Sequence, residues 1–262
     1  MTLHDLLAVL SGGVVGFALG LIGGGGSILA VPLLLYVVGI TDPHVAIGTS
    51  ALAVAVNAFA NFAQHARAGN VKWRCAITFA AAGVVGALIG STAGKLMNGQ
   101  HLLALFALVM IAVGVSMLIR RGGEGDPNVA LNPRIAVRLA IIGFLAGLLS
   151  GFFGIGGGFL IVPGIMFGSG MPMIYAVGSS LFSVGVFGLS TAANYAISGL
   201  VDWRIAILFI AGGVAGGFLG MRVAIRIASR RGALARVFAF VLFAVAAYML
   251  YRSAGPMFGL GA

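Results

Sequence analysis

Residues Gly20-Leu21-Ile22-Gly23-Gly24-Gly25-Gly26-Ser27 interrupt an apolar stretch that runs to Pro32, and Gly151-Phe152-Phe153-Gly154-Ile155-Gly156-Gly157-Gly158 interrupt a second one that runs to Pro163. The chain has 61% hydrophobic and 8% charged residues over 262 positions, and a mean hydropathy of +1.15. That is more apolar surface than a water-soluble fold can hide, so the chain reads as an integral membrane protein. Unwound backbone at membrane depth is tolerated where it is buried in protein or lines a polar cavity. Paired glycine breaks in corresponding segments of two halves therefore point to the binding site of a transporter.

The apolar stretches have helical spanning length and lack the alternation of a barrel strand, which makes the fold class all-α. A shift of 130 residues superposes 48–90 on 178–220 with 18 identical residues, against roughly four expected from so biased a composition. It pairs Gly48 with Gly178, Ser50 with Ser180, and Trp73-Arg74 with Trp203-Arg204. Each half reads as a broken element (6–40 and 136–168) followed by three spans: 47–66, 74–95 and 101–119, then 176–197, 204–224 and 233–251. Broken at the glycines, the first element leaves pieces of about 13 to 17 residues, short of the roughly 20 that cross a bilayer. This predicts a re-entrant helix pair.

The basic residues decide the orientation. Arg67, Lys72 and Arg74 crowd one loop whose counterpart holds Asp202 and Arg204, while Lys95 stands alone opposite Arg222, Arg226, Arg230, Arg231 and Arg236. Under the positive-inside rule, equivalent loops lie on opposite faces, which predicts an inverted-topology repeat. The division is repeat 1 over 1–120, a linker over 121–133 that Arg120, Arg121, Arg134 and Arg138 in and beside it place in the cytoplasm, and repeat 2 over 134–262, intertwined as one transmembrane domain. The net charge of +10 gathers at span ends, where it faces lipid headgroups; no basic face with interleaved aromatics suggests nucleic acid. The N-terminal segment lacks a basic leader region and is expected to be retained. Cys75, the single cysteine, allows no intrachain disulfide.

A helix restarting after a glycine break presents free N–H groups and a positive dipole end, an oxyanion site. The candidate ligands are Gly23, Gly24, Gly25, Gly26 and Ser27 in one half and Gly154, Gly156, Gly157 and Gly158 in the other, with the restarts near Ser27 and Phe159 expected to meet. Close helix packing is the alternative use of the same glycines. Thr49, Ser50, Ser179 and Ser180 open the next helix of each half and serve either as ligands or as caps. Asn57, Asn61 and Gln64 share one helix face, with Asn194 aligned to Gln64, and either line a pathway or bond between helices.

Gly86, Gly90 and Gly94, like Gly212, Gly216 and Gly220, form packing stripes. The run Gly90 to Lys95 is one residue short of a phosphate-binding loop and lacks its final hydroxyl. His4, His44, His65 and His101 fall near segment ends without ligand spacing. Asp5, Asp42, Glu124, Asp126 and Asp202 fall in loops or interfaces, so no carboxylate relay is indicated. Trp73 and Trp203 read as interface anchors, with Arg74 and Arg204 snorkelling beside them or standing at a pathway mouth.

The run GLIGGGGSILAVPLLL, its echo GFFGIGGGFLIVPGIM, and the Gly-Thr-Ser and Gly-Ser-Ser helix starts resemble the TauE/SafE family of sulfite exporters over nearly the whole chain. The resemblance implies an inner-membrane permease for sulfite, a sulfonate such as sulfoacetate, or a related sulfur anion. It implies no cofactor, neither nucleotide nor metal, and no catalytic residue. The expected partners are a small anionic substrate, membrane lipids and a coupling ion, with proton and sodium both left open. An anion channel and a transporter of another small solute are the alternative readings. A membrane enzyme would need a catalytic cluster that the sequence does not offer.

Overall fold

The computed structural model describes residues 3–119, 125–153, 158–228, 236, 239–241 and 243–248. Among these the chain is all helix without a strand: α1 (Leu3–Ile22), a 3-10 run (Gly23–Leu29), α2 (Ala30–Leu33), a π-type turn (Leu34–Val38), α3 (Pro43–Arg67), α4 (Trp73–Leu96), α5 (Gly99–Ile119), α6 (Pro133–Phe153), α7 (Gly158–Ser169), α8 (Met173–Ile197) and α9 (Trp203–Ala228). Six segments are long and apolar enough to cross a membrane. The expected span 233–251 is described only at 236, 239–241 and 243–248, and Arg120, Arg121, Glu124, Arg230, Gly154, Gly156 and Gly157 lie outside the described residues.

Helix starts follow local chemistry. Pro43 opens α3 after Asp42, whose side chain accepts from His44 N at 2.8 Å. Asn132 accepts from Ile135 N at 2.8 Å ahead of Pro133, and Asp202 accepts from Ile205 N at 3.0 Å as α9 begins. Each cap satisfies an N–H that the helix itself cannot. Helices α3 and α8 both stop at a left-handed glycine, Gly69 (φ 74°) and Gly199 (φ 70°), a conformation side chains resist.

The broken element is a hairpin in both halves. His4 Nδ1, at the start of α1, lies 2.8 Å from the Val38 carbonyl at the end of the returning arm. In the second half, a side chain added at Gly164 or Gly168 of α7 would meet Ile142 or Leu139 of α6, so that pair is also antiparallel. One expectation is corrected: α1 has 20 residues and α6 has 21, so the outgoing arm is a full-length helix of about 30 Å. The glycines at Gly12, Gly16 and Gly20 do not end α1, because each lies against the backbone of α9. Tertiary contact outweighs their weak helix propensity.

Two parallel pairs carry the core. Gly12, Gly16 and Gly20 of α1 face Phe209, Gly213 and Gly217 of α9; Gly143, Gly147 and Gly151 of α6 face Phe79, Gly83 and Ala87 of α4. A Cβ on any of these six glycines would overlap a backbone oxygen across the interface. Such contact earns dispersion and Cα–H···O attraction, the available driving forces in lipid. The stripe glycines Gly86, Gly90, Gly94, Gly212, Gly216 and Gly220 all meet backbone in these pairs, the packing role expected of them. Each half thus contributes its first helix to the other half's third.

Between the pairs run α3 and α8, antiparallel and cross-tied. Asp202 N donates to Thr49 Oγ1 at 2.9 Å and Lys72 N donates to Ser179 Oγ at 2.9 Å. Gly48 abuts the Leu200 carbonyl and Gly178 abuts that of Asn70. These are the same two contacts written in exchanged halves.

Candidate functional site

The first break is buried from Gly23 to Ile28. Gly23 takes a left-handed φ of 65°, which turns the chain out of α1 at no steric cost. No side chain caps the new helical run, so its first N–H groups look to other elements. Gly24 N donates to Ser180 Oγ at 3.2 Å, Ser180 Oγ donates in turn to Val177 O at 2.8 Å, and Ser27 Oγ donates to Gly24 O at 2.8 Å. Gly24 lies against the backbone of Gly158, where α7 starts, and a side chain on either would overlap the other. The 3-10 run of the first half and the start of α7 therefore touch at Gly24 and Gly158. Gly25 and Gly26 complete the buried run, with Gly26 folded back on Ala18 and Leu19.

The hydroxyls divide by task. Thr49 and Ser179 accept from the opposite half's loop, as described above. Ser50 Oγ donates to Ile47 O at 2.8 Å, the same back-bond as that of Ser180. All four are fully buried. Their protons or lone pairs fasten helices α3 and α8 and, through Ser180, the first break.

Asn57 and Asn61 are fully buried on the α3 face turned to α9 and α1. The Asn57 amide covers Gly213, and the Asn61 amide covers Gly217 and Gly20. Asn61 Nδ2 donates to Asn57 O at 2.9 Å, while both amide atoms of Asn57 and Oδ1 of Asn61 have no partner. Gln64, to one side, bonds back to Ala60 at 3.5 Å.

His65 lies in the last turn of α3, as its place in the sequence implied. It is nevertheless fully buried, with Nε2 3.1 Å from Gly20 O, and joins the face of Asn57 and Asn61. The spacing 57, 61, 65 carried that signal, because residues four apart stack on a helix.

Charge is sparse and placed. Asp5, in the first turn of α1, is buried and pairs with Arg204 at 2.8 Å, while Arg204 itself stays 70% exposed. The arginine thus ties the starts of α1 and α9 together. Lys95 Nζ reaches Asn194 Oδ1 at 2.7 Å, Asn194 O at 3.1 Å and Ser198 Oγ at 3.0 Å, and Asn194 Nδ2 donates to Ser91 Oγ at 2.7 Å. Asn194 therefore fastens α8 to the end of α4.

The sequence profile of the family described as "Sulfite exporter TauE/SafE" matches residues 8–249. The chain belongs to the TauE/SafE family. Within it, the chain is 53% identical to a "Probable membrane transporter protein" of Xylella fastidiosa over 97% of this chain and 98% of that one. It is 28% identical to the "Probable membrane transporter protein YunE" of Bacillus subtilis, over 83% and 88%. It is 31% identical to a "Probable membrane transporter protein" of Methanocaldococcus jannaschii, over 76% and 72%. No solved structure matches the chain. As a TauE/SafE protein with six candidate spans, it is a multi-pass membrane protein of a transporter family.

Proposed function

We propose that this TauE/SafE protein is a secondary transporter that moves a small sulfur oxyanion, sulfite or a sulfonate, across the inner membrane by alternating access. The observation that carries the proposal is the contact of the two broken helices at Gly24 and Gly158. On this reading the N–H groups and positive dipole ends of the two helix starts serve one buried place beside that contact, which favours an anion over a cation or a neutral solute. The binding residues are Gly23, Gly24, Gly25, Gly26 and Ser27 with Gly154, Gly156, Gly157 and Gly158. Thr49, Ser50, Ser179 and Ser180 hold the frame, and Asn57 and Asn61 line the wall of the first half.

The halves are read as an inverted-topology repeat, residues 1–120 and 134–262 about a cytoplasmic linker. The exchanged bonds of Thr49 to Asp202 N and Ser179 to Lys72 N support this, since an antiparallel two-fold axis generates one from the other. With Cys75 replaced, Asn70→Cys and Leu200→Cys should label from opposite faces of the membrane; labelling from one face would refute the inversion. Calorimetric titration of the purified protein with sulfite and sulfoacetate tests the substrate class, and counterflow in proteoliposomes separates a carrier from a channel.

A further inference from the structure

The face Asn57–Asn61–His65 holds four buried polar atoms without partners: Asn57 Nδ2 and Oδ1, Asn61 Oδ1 and His65 Nδ1. A carbonyl oxygen can only accept, so the contact of His65 Nε2 with Gly20 O places the ring's hydrogen on Nε2 and leaves Nδ1 a bare lone pair. The amide of Asn61 is oriented by its bond to Asn57 O, so its free atom is an oxygen. The face is therefore rich in acceptors. It suits a proton or a cation better than an anion, whose donors lie at the glycine break.

The charged groups nearest His65 on its own helix and on the facing turn of α9 are basic, Arg67 and Arg222. Helices α1 and α9 meet this face with Gly20, Gly213 and Gly217. The titratable groups of α1, His4 and Asp5, are at its far end, bonded to Val38 and Arg204. On α9 the Arg222 guanidinium lies over the Phe218 ring, 4.0 Å from its centroid. Arg67 on α3 itself is exposed, Lys72 lies over the Tyr175 ring at the start of α8, and Tyr195 packs near Gly48 at the other end of α3. Among the groups so placed, none is a carboxylate that could neutralise a proton on the ring. What favours that proton is the end of α1, whose last carbonyls, Gly20 O among them, form the negative end of a helix dipole.

We infer that His65 is the proton-binding site of the transporter, taking a proton on Nδ1 together with an anion at the Gly23–Ser27 break. This rests on the proposed anion transport. The ring is bonded to Gly20, three residues before Gly23, so an anion at the break supplies the negative charge that the pocket lacks. Each ligand then raises the affinity for the other by the same factor, as linkage requires. The proton comes from solvent and forms one N–H bond; Nε2 keeps its hydrogen and its bond to Gly20 O.

Sulfoacetate is the probe, since its charge is constant near neutral pH, whereas sulfite itself titrates there. In the parent protein the affinity for sulfoacetate should rise about tenfold from about pH 8 to about pH 6. His65→Gln keeps an N–H donor for Gly20 O but cannot take a proton, so its affinity should vary less than about twofold over that range. Tyr195→Phe, at the equivalent position of the other half, should keep the parent's slope. An undiminished slope in His65→Gln would overturn the inference.

A second readout follows the ring itself, with and without sulfoacetate. In protein labelled with ¹⁵N-histidine, Nδ1 of His65 should be bare at high pH and protonate at lower pH while the protein stays folded. An Nδ1 that never protonates with or without sulfoacetate overturns the inference. If sulfoacetate and sulfite both fail to bind yet Nδ1 protonates, the proton site stands and the substrate assignment falls.

Discussion

Helices α3 and α8 occupy equivalent places, yet they present opposite chemistry to the glycine helices behind them. On α3 the sequence Asn57, Asn61, His65 lies over Gly213, Gly217 and Gly20; on α8 the equivalent positions are Phe187, Thr191 and Tyr195. Phe187 covers Gly83 as Asn57 covers Gly213, and it stacks on Phe79 with ring centroids 6.2 Å apart. All six side chains are fully buried. The shared scaffold shows what the duplication preserved, namely glycine faces that let backbones touch. The differing side chains show where the halves parted: one face is a row of amides and an imidazole, the other an aromatic seam.

If the scaffold is common and the side chains are not, substitutions in the scaffold should cost the two halves alike. Gly16→Ala and Gly147→Ala each push a methyl into a backbone carbonyl, of Gly213 and Gly83 respectively. Neither backbone can yield without separating a helix pair, so each should cost about 3 kcal/mol. Thermal unfolding in detergent should show a similar loss in both; a large loss in one half alone would break the equivalence.

The side-chain rows should instead respond differently. Asn61→Leu removes an unpartnered oxygen together with one hydrogen bond and crowds Gly20 and Gly217, so it should lower stability by about 1–2 kcal/mol and abolish sulfoacetate transport. Thr191→Val removes a buried hydroxyl that has no partner at nearly constant volume. It should leave stability unchanged or raise it by about 1 kcal/mol, with transport intact. Equal loss of counterflow in both variants would mean that the α8 face also works, and the comparison would fail.

Smaller effects probe the ties between halves. Thr49→Val and Ser179→Ala each leave one backbone N–H, of Asp202 or Lys72, without its acceptor, and should cost about 1 kcal/mol apiece. Unfolding measurements that separate the two by much more than this would argue against an exchanged pair. The smallest effect is expected for Asp5→Asn. Arg204 is mostly exposed and its charge well screened, so the loss should stay below about 1 kcal/mol and shrink further in high salt.

Much of this was legible in the residues. The membrane class follows from composition, because a chain this apolar has no soluble alternative. Span positions came within a few residues, since a helix must satisfy its own backbone in lipid and so runs uninterrupted between polar caps such as Asp42 and Asn132. The full lengths of the outgoing hairpin arms were not legible, because contacts with α9 and α4 keep α1 and α6 helical through Gly20 and Gly151. Thr49 and Ser179 were legible as paired, but not as cross-ties, since their partners lie 153 and 107 residues away.

His65 separates the two sources of information. By sequence it sits two residues from the end of its helix and counts as peripheral; the fold buries it, because α1 and α9 reach past that level and Gly20 brings a carbonyl to the ring. The sequence alone determined a duplicated, all-helical membrane chain with two glycine breaks and a surplus of positive charge. Composition and periodicity act locally and survive any packing. Only the tertiary structure decided which hydroxyls bond across the halves, that the breaks touch at Gly24 and Gly158, and which polar atoms remain without partners. Those outcomes depend on distances between residues more than 100 positions apart, set by how closely glycine lets one backbone approach another.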